Sequence, residues 1–189
     1  MSTSTDKIRL LKLLKEKAFF KQPVTLSSGK RSDYYIDARR VTLTAEGAFL
    51  CGRILFDLLL KEKFDSVGGP TLGADPLLGA LAAMSFREKR PIATFIIRKT
   101  PKPHGRQLQI EGPCPKEGST AVLIDDVATT GKALLEGMDV LSRLQVKVER
   151  AICLIDREEG AQEALAERGC VLISVLTIKD FLPIRKLHK

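Results

Sequence analysis

Val122-Leu123-Ile124-Asp125-Asp126-Val127-Ala128-Thr129-Thr130-Gly131-Lys132-Ala133 decides how this chain is read. An apolar run of strand length meets two adjacent carboxylates. A short loop of small and hydroxyl residues follows, and the pattern then turns helical. Open α/β sheets bind their ligands at the carboxyl edge of such a strand. Backbone N–H groups and the hydroxyls of Thr129 and Thr130, at a helix N-terminus, suit a phosphate. Asp125 and Asp126, just upstream, can accept hydrogen bonds from sugar hydroxyls and meet Mg²⁺ through water. The G-x-x-x-x-G-K spacing of a Walker A loop is missing. An acidic strand end followed by a capped helix explains each piece alone, but it explains the joint pattern poorly.

Outward from this block, strand and helix patterns alternate. That predicts an α/β fold in one domain over 1–189, with a mainly parallel central sheet flanked by helices. Downstream, the spacing predicts a helix over 131–144, a strand over 148–154, a helix over 160–168, a strand over 171–176 and a short polar tail. Upstream, it predicts strands at 66–70 and 92–97 with a helix over 76–89 between them. Thr44 is placed to cap a helix whose apolar face carries Ala45, Ala48, Phe49, Gly52, Leu55 and Leu59. Before it, 20–41 reads as two short strands about a turn at Ser27-Ser28-Gly29-Lys30, and 6–18 as an amphipathic helix. The stretch 99–119 breaks the rhythm. It holds Pro101, Pro103, Gly105, Gly112, Pro113, Pro115 and Gly118 without a clean period. An aperiodic stretch of this length is commonly a functional lid or an insertion, and Lys99, Lys102, His104 and Arg106 favour the lid.

Composition narrows the function classes. The 189 residues are 44% hydrophobic and 29% charged, the balance of a soluble globular protein. No apolar run approaches the roughly 20 residues that span a bilayer. Met1 to Lys7 holds no signal-type apolar run, so a cytoplasmic location without membrane attachment is expected. The four cysteines form no CxxC pair and read as reduced, mostly buried small hydrophobes. Lys and Arg number 31 and Asp and Glu 23, so the net charge is 31 − 23 = +8. Such a balance suits nucleic acid or small polyanionic substrates. Aromatics are 5%, Trp is absent and no zinc-finger, RNP or basic-zipper pattern occurs, which favours the small polyanion over nucleic acid.

The block from Val122 to Ala133 resembles the motif that binds 5-phosphoribosyl 1-diphosphate (PRPP) in type I phosphoribosyltransferases. Other stretches resemble the orotate branch of that family, and together they cover about Phe20 to Ile178. Thr25 to Asp37 is similar to its orotate-side N-terminal segment. Val67 to Pro76 is similar to its pyrophosphate loop, and Arg98 to Gly105 to the start of its catalytic loop. Ile155 to Gly160 is similar to the segment whose arginine holds the orotate carboxylate.

The resemblance implies a type I phosphoribosyltransferase fold with a small N-terminal hood over about 1–43 and a mobile catalytic loop over about 99–118. It implies transfer of the phosphoribosyl group from PRPP to orotate, yielding orotidine 5′-monophosphate and pyrophosphate in pyrimidine biosynthesis. Catalytic roles then fall to Lys102, His104, Asp125 and Asp126. PRPP contacts fall to Thr71, Leu72, Arg98, Lys99, Lys102, His104 and the run from Asp125 to Ala133, that is Asp125, Asp126, Val127, Ala128, Thr129, Thr130, Gly131, Lys132 and Ala133. Orotate contacts fall to Thr129, Arg157, Tyr34 and Tyr35. Mg²⁺ is the implied cofactor, held mainly by PRPP and reached through water by Asp125 and Asp126, with no direct protein ligand. A homodimer is implied, with Lys99 reaching the partner's site.

Elementary chemistry agrees with several of these roles. Gly68-Gly69-Pro70 permits close approach of N–H groups to a pyrophosphate. The guanidinium of Arg157 matches a carboxylate bidentately, although an arginine between Asp156 and Glu158 otherwise reads as a surface ion pair. Tyr34 and Tyr35 can flank a flat ring or simply pack half-buried in a strand. Lysines that some relatives carry are replaced here by Ser27 and by the Thr71-Leu72 pair, so backbone donors, Lys30 or the loop cations are expected to serve instead. A purine phosphoribosyltransferase or a PRPP-binding regulatory protein would share the Asp125-Asp126 motif. A purine enzyme has no use for Arg157 or for Lys102-Pro103-His104-Gly105, and a regulatory protein could lose that lid, whose residues are present here.

Overall fold

The structure is a computed structural model that describes residues 3–25, 31–100 and 109–182. Along the chain run α1 (Thr3–Lys17), β1 (Phe19–Phe20), β2 (Val24–Thr25), β3 (Arg31–Ser32), β4 (Tyr35–Ile36), α2 (Arg39–Thr42) and α3 (Ala45–Leu59). Next come β5 (Ser66–Pro70), α4 (Asp75–Arg87), β6 (Thr94–Ile97), β7 (Ile110–Glu111) and β8 (Thr120–Ala128). The chain continues through α5 (Lys132–Arg143), β9 (Lys147–Asp156), α6 (Ala161–Ala166), β10 (Val171–Thr177) and α7 (Ile178–Phe181). The main sheet is ordered β10-β9-β8-β5-β6-β7. All its pairings are parallel except β6 with β7, which is antiparallel.

Period-two alternation sorts the strand side chains into two cores. Val122 and Ile124 of β8, with Ile152 and Leu154 of β9, pack against α1, α3 and α4. Ala121 and Leu123, with Ala151 and Cys153, pack against α5 and α6. A strand buried on both faces reads as a continuous apolar run, as Ala121 to Ile124 does. Thr44 caps α3 by accepting a hydrogen bond from the Gly47 N–H at 3.1 Å. Gly68 sits where a Cβ would run into the Phe95 ring, so β5 and β6 pack there without room for a side chain.

The hood is two small antiparallel ribbons, β1 with β4 and β2 with β3. The Asp37 N–H donates to the Ala18 carbonyl at 3.0 Å and ties β4 to the end of α1. The turn expected at Ser27 to Lys30 lies outside the described residues.

Several boundaries differ from the sequence expectation. β8 continues through Asp125 and Asp126 to Ala128, because Asp125, Val127 and Ala128 keep pairing with Cys153, Ile155 and Asp156 of β9. The expected polar tail begins with α7, whose Ile178 and Phe181 are buried. Within the stretch read as loop, Ile110–Glu111 forms the edge strand β7, with Ile110 paired to Ile97. Helix α1 starts at Thr3, ahead of the expected Asp6.

Candidate active site

The carboxyl end of β8 opens onto a cleft of about 390 Å³, lined by Lys99, by Asp125, Val127 and Ala128 of β8, by the turn from Thr129 to Gly131 and by the start of α5. A roomier cleft of about 500 Å³, lined by Phe56, Phe64, Arg90 and Thr120 among others, lies at the opposite end of β8. The acids of that cleft, Glu62 and Asp65, lie in the connection between α3 and β5, and among the described residues no helix N-terminus faces it, so the smaller one is the chemically competent site.

Gly131 adopts φ +76°, a left-handed conformation, and turns the loop into α5 so that its first N–H groups face the cleft. Thr129 and Thr130 are half-buried in that turn. Lys132 points outward and meets Glu136 at 3.8 Å.

Asp125 is 8% exposed. Burial, and then the neighbouring Asp126 charge, hold its carboxyl well above the usual carboxylate range. Asp126 is also raised by burial, against a lowering by the hydrogen bond from the Val127 N–H and by the Arg39 charge. The Asp126 N–H donates to Asp125 Oδ1 at 2.9 Å, and the Val127 N–H to Asp126 Oδ1 at 2.8 Å. These short backbone bonds fix both carboxylates at the strand end.

The loop after β5 passes over this pair. A Cβ on Gly73 would collide with Asp126 Oδ1 and crowd Asp125 Oδ1, so only glycine lets the two segments meet. Beside it, the Thr71 N–H donates to the Ile97 carbonyl at 3.0 Å, Thr71 Oγ1 donates to Asp75 Oδ2 at 2.9 Å, and Leu72 is exposed. The peptide between Thr71 and Leu72 is cis. Sequence reasoning did not find Gly73, nor Arg39, whose Nε donates to Asp37 Oδ1 at 3.0 Å and whose charge acts on Asp126. The Asp37-Ala38-Arg39 spacing was the available signal.

At the other end of the site stands Arg157. It is buried, not the surface pair that its neighbours suggest. Its N–H donates to the Ala128 carbonyl at 2.9 Å, so its backbone is hung on the end of β8. Its Nε donates to Glu159 Oε1 at 2.8 Å and its Nη2 to Ser32 Oγ at 3.1 Å. The guanidinium lies over the Tyr34 ring, 4.5 Å from its centroid. Tyr35, the next residue along the hood, faces the other way and stacks on Phe20. Arg98 pairs with Glu111 of β7 at 3.0 Å. Lys99 stands on the rim of its own chain's cleft, and its charge favours the ionised form of Asp125. Lys102 and His104 lie outside the described residues.

Among the described residues no group of three or more His, Cys, Asp or Glu side chains is placed to hold a metal directly. Two adjacent carboxylates beside a cleft with a basic rim fit a hard cation that arrives on a polyanionic ligand and is met through water. Among the described residues no helix is long and apolar enough to cross a membrane.

A doubly wound sheet with this acid-pair loop at its carboxyl edge defines the class of phosphoribosyltransferases, and the family model of the phosphoribosyl transferase domain matches residues 41–178. An orotate phosphoribosyltransferase of Rhodopseudomonas palustris is 36% identical over 185 residues, which cover 96% of this chain and 99% of that protein. One of a Nostoc species is 41% identical over 177 residues, covering 94% of this chain and 85% of that protein. The crystal structure of Mycobacterium tuberculosis orotate phosphoribosyltransferase in complex with PRPP superposes with a TM-score of 0.77 at 32% identity, covering 93% of this chain and 98% of that one. The chain belongs to the orotate phosphoribosyltransferase family.

Proposed function

We propose that this protein transfers the 5-phosphoribosyl group of PRPP to orotate, giving orotidine 5′-monophosphate and pyrophosphate. One observation carries the reading. Arg157, the cation suited to the base's carboxylate, is hydrogen-bonded through its backbone to Ala128, the last residue of β8, where the chain enters the loop suited to the phosphate. A carboxylated base and a phosphorylated sugar therefore meet along one strand edge.

Breaking the bond from the anomeric carbon to pyrophosphate leaves positive charge on the ribose and negative charge on the leaving group. Asp125 and Asp126 hold the ribose hydroxyls and face the developing cation. The loop from Ala128 to Gly131 and the N-terminus of α5 bind the 5-phosphate. Arg157 takes the orotate carboxylate, Tyr34 supports the ring side of the pocket, and Thr129 stands between base and sugar. Arg98 and Lys99 add positive charge toward the pyrophosphate, and in this reading Lys102 or His104 protonates or stabilises it. Mg²⁺, carried by PRPP and met through water by Asp125 and Asp126, supplies further neutralisation of the leaving group. Orotate brings an anionic ring nitrogen, so no strong protein base is required.

A homodimer is part of this proposal; exposed Phe49 on α3 and Phe86 on α4 are in keeping with an apolar surface that a second copy covers. In that dimer Lys99 is assigned to the partner's site. The test is loss of orotate absorbance in the presence of PRPP and Mg²⁺, with hypoxanthine, adenine and uracil as controls. Turnover of orotate alone is expected. Turnover of a purine without orotate would overturn the assignment.

A further inference from the structure

Arg157 is a charged side chain held almost wholly out of water, which requires a counter-charge and fixed geometry. Glu159 supplies the charge from two residues along the chain. Between them, Glu158 takes φ +55°, its N–H donates to Asp156 Oδ1 at 2.8 Å, and its carboxylate receives Lys179 Nζ at 2.8 Å. This locked turn brings the Glu159 carboxylate back onto the Nε edge of Arg157. Ser32, from the hood, holds Nη2. Its own proton goes to the Tyr34 carbonyl at 2.8 Å, so toward Arg157 the hydroxyl serves only as an acceptor. Tyr34 closes one face of the guanidinium. The Nε side of the fork is thereby committed, and among the described residues no carboxylate is paired with Nη1, the end open to an anionic ligand.

We propose that Glu159 and Ser32 are positioning residues that aim the Nη1 end of Arg157 at the carboxylate of the incoming base. Through Ser32 the hood takes part in selecting a carboxylated base over one without that group. The proposal rests on the orotate reading. A guanidinium freed from Glu159 can turn about its side-chain torsions and loses the alignment that a planar fork needs.

The experiment compares wild type with Glu159→Ala, Glu159→Asp, Glu159→Gln and Ser32→Ala, measuring orotate and PRPP binding separately by calorimetry, and steady-state KM and kcat. Glu159→Ala should weaken orotate binding by about tenfold to a hundredfold, the usual range for a lost hydrogen bond to a charged group. PRPP binding should stay within about twofold. Glu159→Asp, which keeps the charge but is too short to reach Nε, should share the orotate-specific loss and serves if the Ala variant fails to fold. Glu159→Gln should lie nearest to wild type, because its amide oxygen still accepts from Nε. In an Arg157→Ala background the Glu159→Ala loss should vanish. Equal losses for both ligands, additive losses in the double variant, or unchanged or tighter orotate binding would overturn the proposal while leaving orotate turnover by the wild type standing. A wild type that neither binds nor converts orotate removes the inference together with the reading it rests on.

Discussion

Asp125 and Asp126 answer two opposed demands. A site for sugar hydroxyls needs ionised acceptors, yet burial of two adjacent carboxylates disfavours their charge. The unfolded chain releases the Asp125 proton near pH 4, whereas the folded chain keeps it to a higher pH. Stability associated with this group is therefore complete at low pH and is lost as pH rises through the raised folded value. Asp125→Asn removes one of the two charges while its amide oxygen still accepts the Asp126 N–H. The variant should melt about 2–5 °C higher than wild type at neutral pH, with the difference shrinking in acid. Calorimetric melts across pH check this; a lower melting temperature at neutral pH would contradict it. Turnover should fall at least about a hundredfold, and the wild-type kcat/KM for PRPP should decline on the acid side as Asp125 takes up its proton. Gly73 is a second residue with a defined outcome. Gly73→Ala pushes against both carboxylates, so kcat/KM should drop about tenfold or more and the melting temperature should fall by about 2–4 °C, as kinetics beside thermal melts will show. The acid pair was legible from its neighbours in sequence. Gly73 was not, because a close approach between residues 53 apart in the chain leaves no local pattern. Arg157 was legible as a cation but not as a buried one, since its burial comes from Ser32 and Tyr34 in the distant hood.

At the level of elements, legibility followed burial on both faces. Strands β5 and β8 and helix α3 stand close to where their apolar patterns put them, because each pattern reflects a core face that the fold fills. β8 runs four residues beyond the expected end at Ile124, because pairing with β9 continues where side-chain preference would stop it. β7 escaped notice for the same reason: Ile110 and Glu111 carry no period, and their strand exists only through β6. α7 hides in a short segment whose amphipathicity shows only once Phe181 packs on Phe19 of the hood. Helix α3 carries a prediction that separates fold from chemistry. Thr44→Ala removes the cap at Gly47 N–H and should cost about 1 kcal/mol, or a fall of roughly 2–4 °C in melting temperature. Orotate and PRPP KM values should not move, since the Thr44 hydroxyl bonds Gly47 and Val41, neither of which lines the cleft. Changed KM values at unchanged stability would place α3 in the site.

For the whole molecule, an excess of basic residues surrounds a site whose deepest groups are acidic. A net charge of +8 favours a polyanion, and in the proposed reading the two carboxylates engage its sugar. Which chain completes that charge balance is testable. Lys99 and Asp125 line one cleft of one chain, and the Lys99 charge favours ionised Asp125. If each chain supplies its own lysine, a Lys99→Ala protein and an Asp125→Asn-Asp126→Asn protein are each impaired at every site they contain. Allowed to exchange subunits, they form mixed dimers in which one site lacks Lys99 and the other lacks the acids, so mixing restores no activity. If Lys99 crossed to the partner, the intact acids of the first chain would meet the intact Lys99 of the second. One site per mixed dimer would then be whole, and up to a quarter of wild-type turnover per subunit would return at equal mixing, since about half of all dimers are mixed and each has one of its two sites complete. Mass spectrometry of differently tagged chains establishes that exchange has occurred, and the orotate assay reads the outcome. Recovery toward that quarter in proven mixed dimers is the expected result, and no recovery would assign Lys99 to its own chain's site.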